Sequence, residues 1–144
     1  MIYINGRFLI NNPTGIENFA YGMCKAMLEK GIKFIILTPK SAIRSYDVIG
    51  FDMIKIGLFT GPLWEQIDLS FFMIGKSRDI LISFSGAGSL IIKNQIITIH
   101  DVAVFQHPEW FSKTYSILYK TITPIIARKS KAILTVSEFS KREN

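Results

Sequence analysis

A chain of 144 residues, 49% hydrophobic and 19% charged, is long enough for one ordinary core, and its apolar runs are broken too often by Lys, Asp, Gly or Pro to cross a membrane. Its net charge of +6 favours anionic partners without choosing among nucleic acid, an acidic membrane surface and phosphorylated small molecules, and a solvated face needs no partner at all. The single Cys24 excludes an internal disulfide, and Ala20, Met23, Met27 and Leu28 around it place it on the apolar face of a helix, as a buried spacer.

Met1 to Asn5 reads as a first strand, entered without a basic leader, so a cytoplasmic location is expected. Turn formers follow at Asn5-Gly6 and Asn11-Asn12-Pro13. Thr14-Gly15-Ile16-Glu17 matches a capping box, with Thr14 as N-cap and Glu17 at the third helical position, and Ile16, Phe19, Ala20, Met23 and Met27 recur at helical spacing until Gly31. Lys33 to Thr38 is a second strand and Phe51 to Leu58 a third. Gly61-Pro62 opens another helix, for which the spacing predicts a buried stripe of Trp64, Ile67, Phe71 and Ile74.

Asp79 to Phe84 is a fourth strand, ending in the loop Ser85-Gly86-Ala87-Gly88-Ser89. The β-branched run Ile96 to Ile99 suits a strand covered on both faces, and it stops at His100-Asp101. A long helix begins at Ser112, with Phe111, Tyr115, Leu118, Tyr119, Ile122, Ile125 and Ile126 along one side. Lys131 to Val136 is a sixth strand, followed by Ser137 and a second capping box at Ser140-Lys141-Arg142-Glu143. A helix start with no apolar stripe after it reads as a chain cut short.

Strands alternating with helices predict an α/β fold, Rossmann-like and doubly wound, with a mostly parallel sheet over residues 1–144. In such a sheet the first and fourth strands flank the switch point, and ligands bind at the carboxyl edge. Gly15, the Gly86 loop, His100-Asp101 and Ser137 would all fall there.

The residues themselves leave several readings open. Gly15 at a helix N-terminus offers free N–H groups to a phosphate or carboxylate, or is a turn that lets the chain pass. His100 can hold or release a proton near neutral pH, or be a strand-end histidine bonded to a backbone carbonyl. Asp101 can serve chemistry or a turn. Glu65 and Gln66 can meet sugar hydroxyls, although the helix dipole alone favours a carboxylate there. Gly86-Ala87-Gly88 resembles the start of a dinucleotide fingerprint, but Ile91 stands where the third glycine belongs. No two histidines have the helical spacing of a zinc site, so no metal is expected, and the aromatic residues give little for nucleic acid to stack on.

The segments TGIENFA, GPLWEQIDL, ITIHDVAVFQHPEWFS and ILTVSEFSKRE together resemble the N-terminal domain of GT-B fold glycosyltransferases of family 4, formerly group 1, along the whole of Met1 to Asn144. The resemblance implies an acceptor-side domain. Its partner would be a C-terminal, donor-binding domain, absent from this chain, or a separate chain in its place. It implies a retaining transfer from a nucleoside diphosphate sugar to a surface-glycan or lipid-linked acceptor, as in polysaccharide or lipopolysaccharide biosynthesis, with no further cofactor and no metal. Gly15 would lie near the donor diphosphate, His100 would face the reacting sugar or acceptor, and Asp101 would orient it or shape the loop. Ser137 would line the cleft, with Glu65 and Gln66 toward the acceptor. Basic residues would bring the domain to the inner face of the cell membrane. Asn18 stands where relatives often carry Arg, and no two glutamates are separated by seven residues as in the family's donor domain. The chain is therefore expected to be inactive alone. The alternative is a non-enzymatic Rossmann-like module, or a partner subunit, that holds a phosphorylated ligand.

Overall fold

A computed structural model describes residues 1–41, 43, 46–100, 107, 109 and 112–135. Among the described residues six parallel strands form one open sheet: β1 (Ile2–Asn5), β2 (Ile35–Thr38), β3 (Met53–Lys55), β4 (Ile80–Ser83), β5 (Gln95–Ile99) and β6 (Ala132–Thr135). Their order across the sheet is β3-β2-β1-β4-β5-β6. This is the Rossmann-like α/β arrangement expected from the alternation of elements, with the switch point between β1 and β4. The register pairs Ile4 with Ile36 on one side and with Ile82 on the other, so these three side chains share a face.

That face is covered by α1 (Gly15–Glu29), whose Ala20 and Cys24 are wholly buried against Ile4, Ile36, Phe84, Phe8 and Leu9. Cys24 is the apolar spacer its neighbours imply, and burial pushes its thiol up to about 12. The opposite face carries Tyr3, Leu37 and Leu81, packed on Trp64, Leu69 and Met73. Farther along the same face Ile97 and Ile99 meet Ile122 and Ile126 of α3 (Lys113–Lys129). With helices on both sides, a parallel sheet can be built from nearly continuous apolar strands.

The second helix departs from the expected stripe. It runs over residues 61–73, which we call α2, in three stretches: Gly61–Leu63, a π-helical Trp64–Leu69, and Ser70–Met73. Trp64, Leu69 and Met73 are buried, whereas Phe71 is 72% and Ile74 55% exposed. A π turn closes i to i+5 bonds and turns each residue through less angle, so the inward positions after Trp64 fall at steps of five and four instead of three and four. The same wide turn takes Glu65 inward.

α3 keeps Ile122 and Ile126 inward as expected, but Ser116 and Thr123 are buried as well, while Leu118 and Ile125 are about 40% exposed. Among the described residues no helix is long and apolar enough to cross a membrane.

Candidate functional site

The site starts at the carboxyl end of β1. Asn5 is fully buried, and its side-chain Nδ2 donates to Glu65 Oε1 at 2.9 Å and to Ser83 Oγ, at the end of β4, at 3.2 Å. The next residue must be small. Gly6 donates its N–H to Leu37 O at 2.7 Å, and a Cβ there would lie 2.5 Å from both Leu37 O and Ile36 Cγ2. This close approach turns the chain into a single 3-10 turn, Arg7–Leu9, pinned by the buried Phe8 and Leu9. Arg7 is thereby left at the sheet edge, with Nη1 donating to Glu65 Oε2 at 3.3 Å.

Glu65 is 1% exposed and ties the end of β1 to the loop after β4. Besides Asn5 and Arg7 it accepts the N–H of Ala87, at 3.4 Å, from the loop after β4. Burial pushes its carboxyl above the usual range, while Arg7, Asn5 and the Ala87 N–H pull it back toward the charged form. The loop fits against this carboxylate only because Gly86 has no side chain: its φ is +80°, and a Cβ would collide with Glu65 Oε1. Gly86→Ala is expected to cost about 1–3 kcal/mol from the left-handed backbone alone, with more if the carboxylate is displaced. Urea denaturation checks this; a variant as stable as the parent contradicts the close approach.

Gln66 is spent on the same loop, donating to Gly88 O at 2.8 Å and accepting from Leu90 N at 2.9 Å. A sugar contact expected of Gln66 therefore competes with two bonds that shape the loop. At the end of β5, His100 places Nε2 2.6 Å from Phe84 O and packs edge-on against Phe19, with ring centroids 5.0 Å apart. Because a carbonyl only accepts, Nε2 carries a proton in this bond. The bond to a backbone carbonyl raised by the sequence is present, and it holds the ring at the sheet edge.

These groups border a pocket of about 420 Å³ that lies across the carboxyl edge. One flank is Ile16 and Glu17 in the first turn of α1, together with Thr98 and His100. Arg7, Glu65, Gln66 and the Ser85–Ala87 loop form the middle, and Leu118, Tyr119, Ile122 and Thr123 of α3 form the far flank. Concave sites of this size at a switch point are the usual place for a small-molecule ligand in such sheets.

Of the residues singled out in the sequence, His100, Glu65 and Gln66 thus meet at one pocket. Gly15 opens α1 next to the lining residue Ile16 but does not itself line the pocket. Thr14 is the N-cap residue, and its hydroxyl bonds the Glu17 carboxylate instead of a helical N–H. The box therefore has the expected residues in the expected places without the expected capping bond. Asp101 and Ser137 lie outside the described residues. Among the described residues no group of three His, Cys, Asp or Glu side chains is placed to hold a metal ion.

Sequence reasoning missed Asn5, Arg7 and Thr123. Asn5 was legible only as a turn former, although a polar residue at the end of a central strand could have signalled the buried network.

Comparison with protein-family models, with curated proteins and with solved structures gives no match.

Proposed function

We propose that this chain is the acceptor-side domain of a retaining glycosyltransferase, holding a glycan against a nucleoside diphosphate sugar whose binding groups belong to a further domain or a partner chain. The observation that carries the reading is the pocket across the carboxyl edge: apolar walls from Ile16, Pro62, Leu118 and Ile122 enclose polar groups fixed by the Asn5–Glu65–Arg7 network. Alternating apolar and hydrogen-bonding surface suits a pyranose, which has both C–H faces and hydroxyl edges. The four sequence segments quoted above point to the same family. Exposed Lys113, Lys120, Arg128 and Lys129 on α3 suit the approach to an anionic membrane, where a lipid-linked acceptor would be met.

His100 would face the reacting sugar, with its ring orientation set by Phe84 O. The test is sugar transfer from a nucleoside diphosphate sugar to a glycan acceptor, with the donor-binding domain supplied. His100→Ala is expected to lower turnover by about 10²–10⁴, the range for losing a positioned acid–base group, while the lost bond to Phe84 O costs only about 1 kcal/mol of stability. Undiminished turnover removes His100 from the reaction.

One observation favours a second reading, a binding module for a phosphorylated ligand: the first turn of α1, at the positive end of its helix dipole, borders the pocket through Ile16 and Glu17. Tight binding of a nucleoside diphosphate to the isolated chain would support it.

A further inference from the structure

Among the described residues, four buried side-chain polar atoms have no hydrogen-bond partner: Arg7 Nε, Thr38 Oγ1, Thr98 Oγ1 and Thr123 Oγ1. Buried polar groups are nearly always paired, so each such group calls for a reason. Thr38 lies away from the pocket, and the residues of the other three line it. Thr98 belongs to the other side. The pleat of β5 turns it away from Ile97 and Ile99, which meet α3, and toward the face that carries α1.

Arg7 and Thr123 remain, in the middle and on the far flank of the pocket. Arg7 is preorganised, because Glu65 holds Nη1 while the flanking Phe8 and Leu9 fix its backbone. Thr123 is 7% exposed, and its hydroxyl forgoes the bond most easily made in a helix. Two residues earlier Thr121 takes that bond, donating to Ile117 O at 2.7 Å. Beside them Leu118 and Ile122 supply apolar wall.

We infer that Arg7 and Thr123 form an inner subsite that reads the hydroxyls of an uncharged pyranose. The charge of the lining supports a neutral ligand over an acidic one. Arg7 already faces the Glu65 carboxyl, and Glu17 adds a second acidic group at the α1 flank, which leaves no surplus positive charge for a uronate or phosphate among the described lining residues. The hydroxyls of a pyranose ring can accept from Arg7 Nε–H and exchange a bond with the Thr123 hydroxyl. This inference rests on the sugar-binding reading above and specifies its ligand.

The experiment is an NMR titration of the full chain with methyl α-D-glucopyranoside, methyl α-D-mannopyranoside and methyl α-D-galactopyranoside, alongside glucuronic acid and glucose 1-phosphate. At least one neutral glycoside is expected to bind with a millimolar Kd, more tightly than either acidic sugar. Thr123→Val keeps the shape and removes the hydroxyl. It should weaken that binding about tenfold, the loss for one hydrogen bond of ordinary worth, while raising the thermal midpoint because an unpaired buried group is gone. Thr38→Val, outside the pocket, should raise the midpoint and leave binding unchanged. Equal binding by Thr123→Val and the parent overturns the subsite and leaves the sugar-binding reading standing, as does tighter binding of an acidic sugar. No binding by any saccharide overturns both.

Discussion

Glu65→Ala is expected to lower the unfolding free energy by about 3 kcal/mol, the lower end of the range for breaking a buried ion pair, since Arg7 keeps some contact with water. The loss has three parts that all follow from one fully buried carboxyl. Arg7 loses its counter-ion, Asn5 Nδ2 keeps only its bond to Ser83, and the Ala87 N–H is left with a void. Denaturant titration measures the total, and a loss below about 1 kcal/mol, the worth of one ordinary hydrogen bond, contradicts the network.

The pH dependence gives a second reading of the same residue. Burial raises the Glu65 carboxyl above its ordinary value of 4.5. A raised acid contributes stability that is fully present below the unfolded value and is lost as pH rises through the folded one. The stability of the parent relative to Glu65→Gln should therefore be greatest in acid and decline as pH climbs above 4.5. An advantage that instead grows with pH would mean that Arg7 outweighs burial.

Trp64→Ala is expected to cost about 3–5 kcal/mol, as for other large-to-small changes at fully buried aromatic positions. Trp64 is wholly buried among Tyr3, Leu37, Leu69, Met73 and Leu81, and its indole N–H donates to Ile56 O at 3.1 Å. Removing it opens a cavity under the π turn that sends Glu65 inward, so the site should loosen together with the core. Chemical denaturation and the chemical shifts of the Ser85–Ala87 loop report the two effects. A small stability loss with an unshifted loop would show that the π turn stands without its anchor.

Strand positions were legible because β1, β2 and β5 are short β-branched or apolar runs closed by turn formers, and a parallel sheet buried on both faces needs little else. The helix faces were less legible. Phe71 and Ile74 fit a 3.6-residue period, yet a π turn beginning at Trp64 shifts the phase and sends them to the surface. On α3 the buried line includes Ser116 and Thr123, which no hydrophobic pattern would select. The site was half legible. His100 stood out because a titratable residue ends an apolar strand. Asn5 and Arg7 did not, because their partner Glu65 is 60 and 58 residues away and the contact exists only once β1 and β4 are neighbours.

Isothermal titration of the isolated chain with a neutral oligosaccharide and, separately, with a nucleoside diphosphate tests the acceptor-side account most directly. The account predicts heat from the oligosaccharide, abolished when Gly86→Ala disturbs the loop, and none from the nucleotide. Nucleotide binding without saccharide binding would contradict it and leave the pocket to a phosphorylated ligand.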